Sequence, residues 1–321
     1  MLRPVRRKKR VLPFALLAIL LAVNAALIAL LWSQRQLTVE PAAPLPASSP
    51  PQMSPAEVES SSDSSSPSPS QTESADQEVV VPTRLLLATS AKEAWRASVG
   101  KCQKPGRVEH SVDGGKSWRR AVKPALGPIV GLGVESNGDL YTVGGDGKDC
   151  SIFYISYSAD GAITGQTGEP QDIWSRDPKD PDLIQGPTSA KAKPCSGKHV
   201  LGLASLDMSD ALIACTNGLL MVTSNSGRSW KRAGKSDGTM AVGAGGDRFW
   251  VAGKGENCDG IEVQSFSLAA GKLSGAGSRC AGELPLAPGR IAIAGSGKAI
   301  WLWADKKVQV STDRGRTWKS R

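Results

Sequence analysis

Side chains able to do chemistry are few in this chain. It has two histidines, His110 and His199. Neither stands at a spacing from a Ser or Cys that assembles a nucleophilic triad. Asp139, Asp146 and Asp149 in NGDLYTVGGDGKD lack the spacing of a calcium loop and read as turn residues. No cluster shows metal-ligand spacing, so neither a metal nor a cofactor is expected. The three tyrosines are Tyr141, Tyr154 and Tyr157. Binding chemistry concentrates in an insertion, residues 169–197, which carries Trp174, Arg176, Lys179, Lys191 and Lys193. Long loops on rigid scaffolds are where binding residues collect. The alternative is a loop packed over one end of the fold and pinned by Cys195.

The elements that must position these residues show up as a repeat. SVDGGKSW supplies Ser111, Asp113, Gly115 and Trp118; STDRGRTW supplies Ser311, Asp313, Gly315 and Trp318. TSNSGRSW is a near copy, with Thr223, Asn225, Gly227 and Trp230. Two eroded copies keep the register, at Ser158, Asp160, Ala162 and Gly165, and at Ser267, Ala269, Gly271 and Ser274. Successive starts lie 47, 65, 44 and 44 residues apart, the long interval holding the insertion. Upstream of each box lie short apolar runs such as EAWRASVG, DALIACT and KAIWLWA. Segments alternating with period two follow them, such as IFYISYS and VQVST, which indicate strands. Four strands in about 45 residues make a propeller blade. Within the box the Asp is placed to accept backbone N–H groups of a turn, the Gly to take positive φ, and the Trp to pack between sheets.

The box resembles the Asp-box, or BNR, repeat of sialidases, sortilin-type receptors and photosystem II assembly factor-type propellers. The resemblance covers residues 83–321. It implies a propeller with its boxes at the blade periphery. The units fall at about 83–122, 128–168, 198–234, 239–280 and 289–321. The sequence therefore predicts an all-β, five-bladed β-propeller with four-stranded blades. Residues 167–197 are too short and too rich in Pro, Lys and Asp to add another unit. The sialidase resemblance also implies a Tyr/Glu nucleophile pair, an Asp acid and three carboxylate-clamping arginines. The nearest match to its Arg-Ile-Pro segment is GRIAIAG at Arg290, which lacks the Pro. Five blades are also one fewer than sialidases use.

Six cysteines, all after residue 80, favour disulfides in an oxidising compartment. The blade layout brings Cys195 to Cys215 across the first two strands of one unit and Cys258 to Cys280 across a hairpin. Elimination leaves Cys102 with Cys150.

The N-terminal part is of another kind. Residues 1–10 form a tail with six basic residues, and residues 11–32 contain no charge. At 1.5 Å per residue that run spans about 33 Å, enough for a transmembrane helix. The basic flank places the N-terminus in the cytoplasm of a single-pass plasma-membrane protein. Residues 33–80, rich in Ser and Pro, read as a disordered linker, and 81–321 as the extracytoplasmic propeller. From Val81 onward there are 32 basic and 23 acidic residues. This excess suits an anionic envelope glycan, while nucleic acid is not expected outside the membrane. The expected function is a membrane-anchored binding or scaffolding module for a protein or envelope glycan. The bilayer is contacted through residues 11–32. A sialidase-type glycoside hydrolase and an assembly factor for a membrane complex are the alternatives.

Overall fold

A computed structural model describes residues 81–321 apart from 123–125, 159–161, 169–171, 257, 283 and 288. The apolar run 11–32 and the linker 33–80 lie outside the described residues. Among the described residues no helix is long and apolar enough to cross a membrane.

The alternating segments form up-and-down antiparallel sheets. The first blade is β1 (Arg84–Ala88), β2 (Ala94–Ser98), β3 (Arg107–Ser111) and β4 (Arg119–Val122), hydrogen-bonded in that order. The second is β5 (Ile129–Val134), β6 (Leu140–Asp146), β7 (Ser151–Tyr157) and β8 (Ile163–Thr167). A third, smaller sheet follows, with β9 (Ser175–Arg176), β10 (Ile184–Gln185) and β11 (Lys191–Ala192). The fourth blade is β12 (Val200–Ser205), β13 (Asp210–Cys215), β14 (Leu219–Ser224) and β15 (Lys231–Lys235). The fifth is β16 (Thr239–Gly245), β17 (Arg248–Lys254), β18 (Ile261–Ala269) and β19 (Lys272–Cys280). The sixth is β20 (Ile291–Ser296), β21 (Ala299–Ala304), β22 (Lys307–Ser311) and β23 (Lys319–Ser320).

The propeller thus has six blades, which corrects the expected five. The additional sheet, the third blade, is built from the insertion. Its strands are two residues each, below the length at which a period-two pattern shows. Its turns are made by the acidic and proline residues that argued against a blade. The Asp177 carboxylate accepts the N–H groups of Lys179 (2.8 Å) and Asp180 (3.0 Å), closing the β9–β10 hairpin.

Burial falls from the middle of each blade outward. Every residue of β21 (AIWLWA) is buried, β22 alternates, and β23 is exposed. The second strands therefore read as continuous apolar runs and the fourth as polar ones. First strands pack side by side around the axis, β12 on β16, β16 on β20, and β20 on β1. Glycine permits that approach. A Cβ on Gly243 would lie 1.9 Å from the Ile293 carbonyl oxygen, and one on Gly245 would lie 1.7 Å from that of Gly295.

The ring closes between the sixth and first blades without strand exchange. Thr83 donates its N–H to the Gly289 carbonyl (2.7 Å), and Ser296 its hydroxyl to that of Thr89 (2.7 Å). Arg96 lies over both Trp118 (4.3 Å) and Trp303 (5.0 Å) and pairs with Glu109 (2.8 Å). Disulfides join Cys102 to Cys150, Cys195 to Cys215, and Cys258 to Cys280. The first two link neighbouring blades and the third closes the fifth.

Candidate functional site

The boxes are self-contained hydrogen-bonded turns. In the first blade, Ser111 donates to the Asp113 carboxylate (2.9 Å) and accepts the Gly115 N–H (2.9 Å). Asp113 also accepts the N–H (3.0 Å) and hydroxyl (2.7 Å) of Ser117. Asp313 repeats this with Ser311 and Thr317; Asn225 accepts from the Thr223 hydroxyl and the Ser229 N–H but donates its amide to the Ser229 hydroxyl (2.8 Å). Hydrogen bonds from Ser117 hold the Asp113 carboxyl down at about 2, and those from Thr317 do the same for Asp313. The carboxylates are saturated within their own turns. Ser117, Ser229 and Thr317 were missed as box members; a hydroxyl before each box Trp was the signal.

Each box also clips its blade to the previous one. A Cβ on Gly115 would lie 2.9 Å from Cζ3 of Trp301, and one on Gly227 would lie 3.1 Å from that of Trp174. The box tryptophans meet the same rings edge-on, Trp118 on Trp301 (6.0 Å) and Trp230 on Trp174 (5.9 Å).

Trp174 and Arg176, expected on a binding loop, are therefore interior. Trp174 donates its indole N–H to the Asp207 carbonyl (2.8 Å). Arg176 donates to the carbonyls of Pro181 (2.6 Å) and Val200 (2.8 Å), tying the third blade to the fourth. Burial pulls its guanidinium down to about 10, against the opposing pull of Asp182. Asp182 grips the start of β12 as well, accepting from the Val200 N–H (2.7 Å) and facing His199 Nδ1 (2.8 Å). Lys179, Lys191 and Lys193 are exposed, and Lys193 is paired with Asp180 (2.6 Å). The five expected residues do not converge on one site.

The axis holds a cavity of ≈ 190 Å³ walled by first strands, with Arg84, Tyr141, Trp174 and Arg176 at its wall. Leu85, Leu132, Leu203 and Val242 make much of it apolar. Arg84 lies over Trp303 (4.3 Å) and donates to the carbonyls of Arg290 (3.0 Å) and Asp305. Burial lowers its guanidinium, with Asp305 opposing. Both channel arginines are thus held by main-chain oxygens. Arg290 pairs with Asp305 (3.2 Å). Beside the channel, Tyr154 donates its hydroxyl to Glu135 and lies 5.5 Å from Tyr141, ring to ring. Burial first, then Glu135, through its hydrogen bond and charge at Tyr154 and its charge at Tyr141, pushes both tyrosines upward. His110 stacks on Trp95 (4.1 Å) and contacts Glu93 (3.1 Å), a packing role. Among the described residues no group of His, Cys, Asp and Glu is arranged to hold a metal ion.

No protein-family model matches the chain, and no curated protein matches it. Solved β-propellers are similar to it in fold. They include YCF48 bound to a D1 peptide, at 12% identity over 76% of this chain and 81% of that one, TM-score 0.39. The WD40 propeller domain of Doa1 matches at 12% identity over 75% of this chain and 82% of that one, TM-score 0.41. The GH74 xyloglucanase of Xanthomonas campestris matches at 14% identity over 74% of this chain and 38% of its own, TM-score 0.32.

Proposed function

We propose that the chain is an extracytoplasmic binding or scaffolding module with an Asp-box-type propeller, held at the plasma membrane through residues 11–32. One observation carries the binding reading: both arginines reaching the channel, Arg84 and Arg176, are bound to main-chain carbonyls. The middle of the ring is thereby a rigid hub, and ligand contacts fall to its exposed ends and seams. Three disulfides and an excess of basic over acidic residues support an oxidising, envelope-facing location and an anionic partner, a protein or a glycan.

A sialidase-type hydrolase is the second reading, favoured by the Tyr154–Glu135 hydrogen bond beside the channel. The sixth blade also removes one departure from that pattern. Against it, burial and the adjacent carboxylate make the Tyr154 phenolate harder to form, the opposite of an activated nucleophile. A panel of fluorogenic glycosides tested on residues 81–321 decides between the two. The binding reading expects no turnover; turnover abolished by Tyr154→Phe establishes the hydrolase.

A further inference from the structure

We propose that the cleft between the fifth and sixth blades binds a doubly charged phosphoryl group. This cleft, ≈ 170 Å³, is lined by Arg248, Trp250, Ser265, Arg279, Arg314 and Arg316, among others. Four arginines thus line one seam. Among the described residues the one carboxylate within ion-pair reach of any of them is Asp247, 3.8 Å from Arg248 and itself 84% exposed.

The indole of Trp250 is 3% exposed, and its N–H has no hydrogen-bond partner. Nε and Nη1 of Arg248 are likewise shielded and without a hydrogen-bond partner, Nε having only the 3.8 Å ion pair with Asp247. Buried donors without acceptors are costly, and these three belong to residues that line the cleft, where an acceptor from outside would satisfy them.

Two other seams show what is missing. Trp301 donates to the Ser90 carbonyl (2.9 Å) and Trp174 to the Asp207 carbonyl (2.8 Å). Both carbonyls sit in the turn between the first two strands of the following blade, residues 89–93 and 206–209. The sixth blade makes that turn with Gly297 and Lys298 alone, since Ser296 pairs with Ala299. The loop that would have supplied the acceptor is absent, and arginines surround the gap.

Charge selects the ligand class. A carboxylate leaves most of the guanidinium charge unmatched, whereas a phosphate monoester carries about −1.5 to −2 and offers three acceptor oxygens. Arginine forks suit such groups. The site adds a ligand class to the binding-module reading and rests on it for its biological use. The assay below reports on the cleft alone and the glycoside panel on that reading, so the two fail separately.

The test is a titration of the full-length chain, in non-ionic detergent at low salt, with inorganic phosphate. It is followed by the indole N–H resonances in ¹H–¹⁵N spectra. Trp250→Phe identifies the Trp250 signal by its loss. That signal is expected to shift saturably with phosphate and at least about tenfold more weakly with acetate. Arg279→Gln with Arg316→Gln is expected to raise the phosphate Kd by about tenfold or more. Arg228→Gln, at the same box position in the fourth blade, is expected to leave it unchanged. No shift at Trp250, equal affinity for acetate, or equal weakening by Arg228→Gln overturns the proposal. Repeating the titration in the same detergent with short-chain phosphatidic acid and with glycerol phosphate then separates the sources. Tighter binding of the lipid, lost in the double variant, identifies a lipid headgroup, and equal binding of the two identifies a soluble phosphate; either outcome supports the site.

Discussion

The third and sixth blades do the same job with very different amounts of structure. The sixth has four strands and a wholly buried second strand carrying Trp301. The third has three strands of two residues and places Trp174 just before the first of them. Yet both indoles donate to a carbonyl of the next blade, both meet a box Trp edge-on, and both lie under a box Gly. A blade is retained in the ring by what it presents to its neighbours, not by the length of its own sheet. The third blade replaces missing ladder hydrogen bonds with side-chain ties: Arg176 and Asp182 to β12, and a disulfide from Cys195 to Cys215 at the end of β13.

That equivalence breaks most readily at the tryptophans. Trp301→Ala is expected to cost about 3–5 kcal/mol in urea unfolding, from lost burial and the cavity left behind. Trp174→Ala should cost a similar amount; a loss below about 1 kcal/mol would show that the third blade merely decorates a five-bladed core. Next comes the staple particular to the small blade. Replacing Cys195 and Cys215 by Ser opens a 20-residue loop and should cost about 3 kcal/mol, measured against the same protein under non-reducing conditions. Arg176→Met keeps the volume and removes the ties to Pro181 and Val200. It should cost about 2–3 kcal/mol and speed proteolytic nicking within 172–198 before global unfolding.

The smallest effect concerns the boxes. The Asp113 and Asp313 carboxyls lie at about 2, below the ordinary 3.8. Their contribution is therefore full above about pH 4 and is lost as pH falls towards 2. Asn225 already serves in the fourth blade without titrating. Asp113→Asn with Asp313→Asn should thus change Tm by about 2 °C or less at pH 7. The double variant should show a flatter decline than the wild type between pH 4 and pH 2. An unchanged decline would place the acid sensitivity elsewhere.

Much of the ring was legible in the sequence because its signals are local. The boxes announce themselves through Ser, Asp, Gly and Trp at fixed offsets, since the Ser, Asp and Gly act within one turn and the Trp follows it to reach the previous blade. Two disulfides, Cys195–Cys215 and Cys258–Cys280, followed from the blade layout for the same reason, and Cys102–Cys150 by elimination. The third blade was not legible. Two-residue strands carry no periodicity, and DPKDPD, which looks like a breaker, caps its own hairpin with Asp177. Trp174 and Arg176 stood out by type, and the structure encloses both between blades. A Trp and an Arg in a polar loop look like binding residues until the neighbouring blades enclose them.

By itself the sequence determined the strands of five blades, the box turns and the cysteine pairs, because each depends on residues close together in the chain or on one repeat length. The tertiary structure alone decided that six sheets close the ring and that the channel arginines belong to main-chain carbonyls. It alone decided that Arg248, Arg279, Arg314 and Arg316 share a seam with an unpartnered indole. Those are relations between blades tens of residues apart. Whether a polar group is satisfied depends on which neighbour the closed ring brings within about 3 Å of it, and no local pattern encodes that.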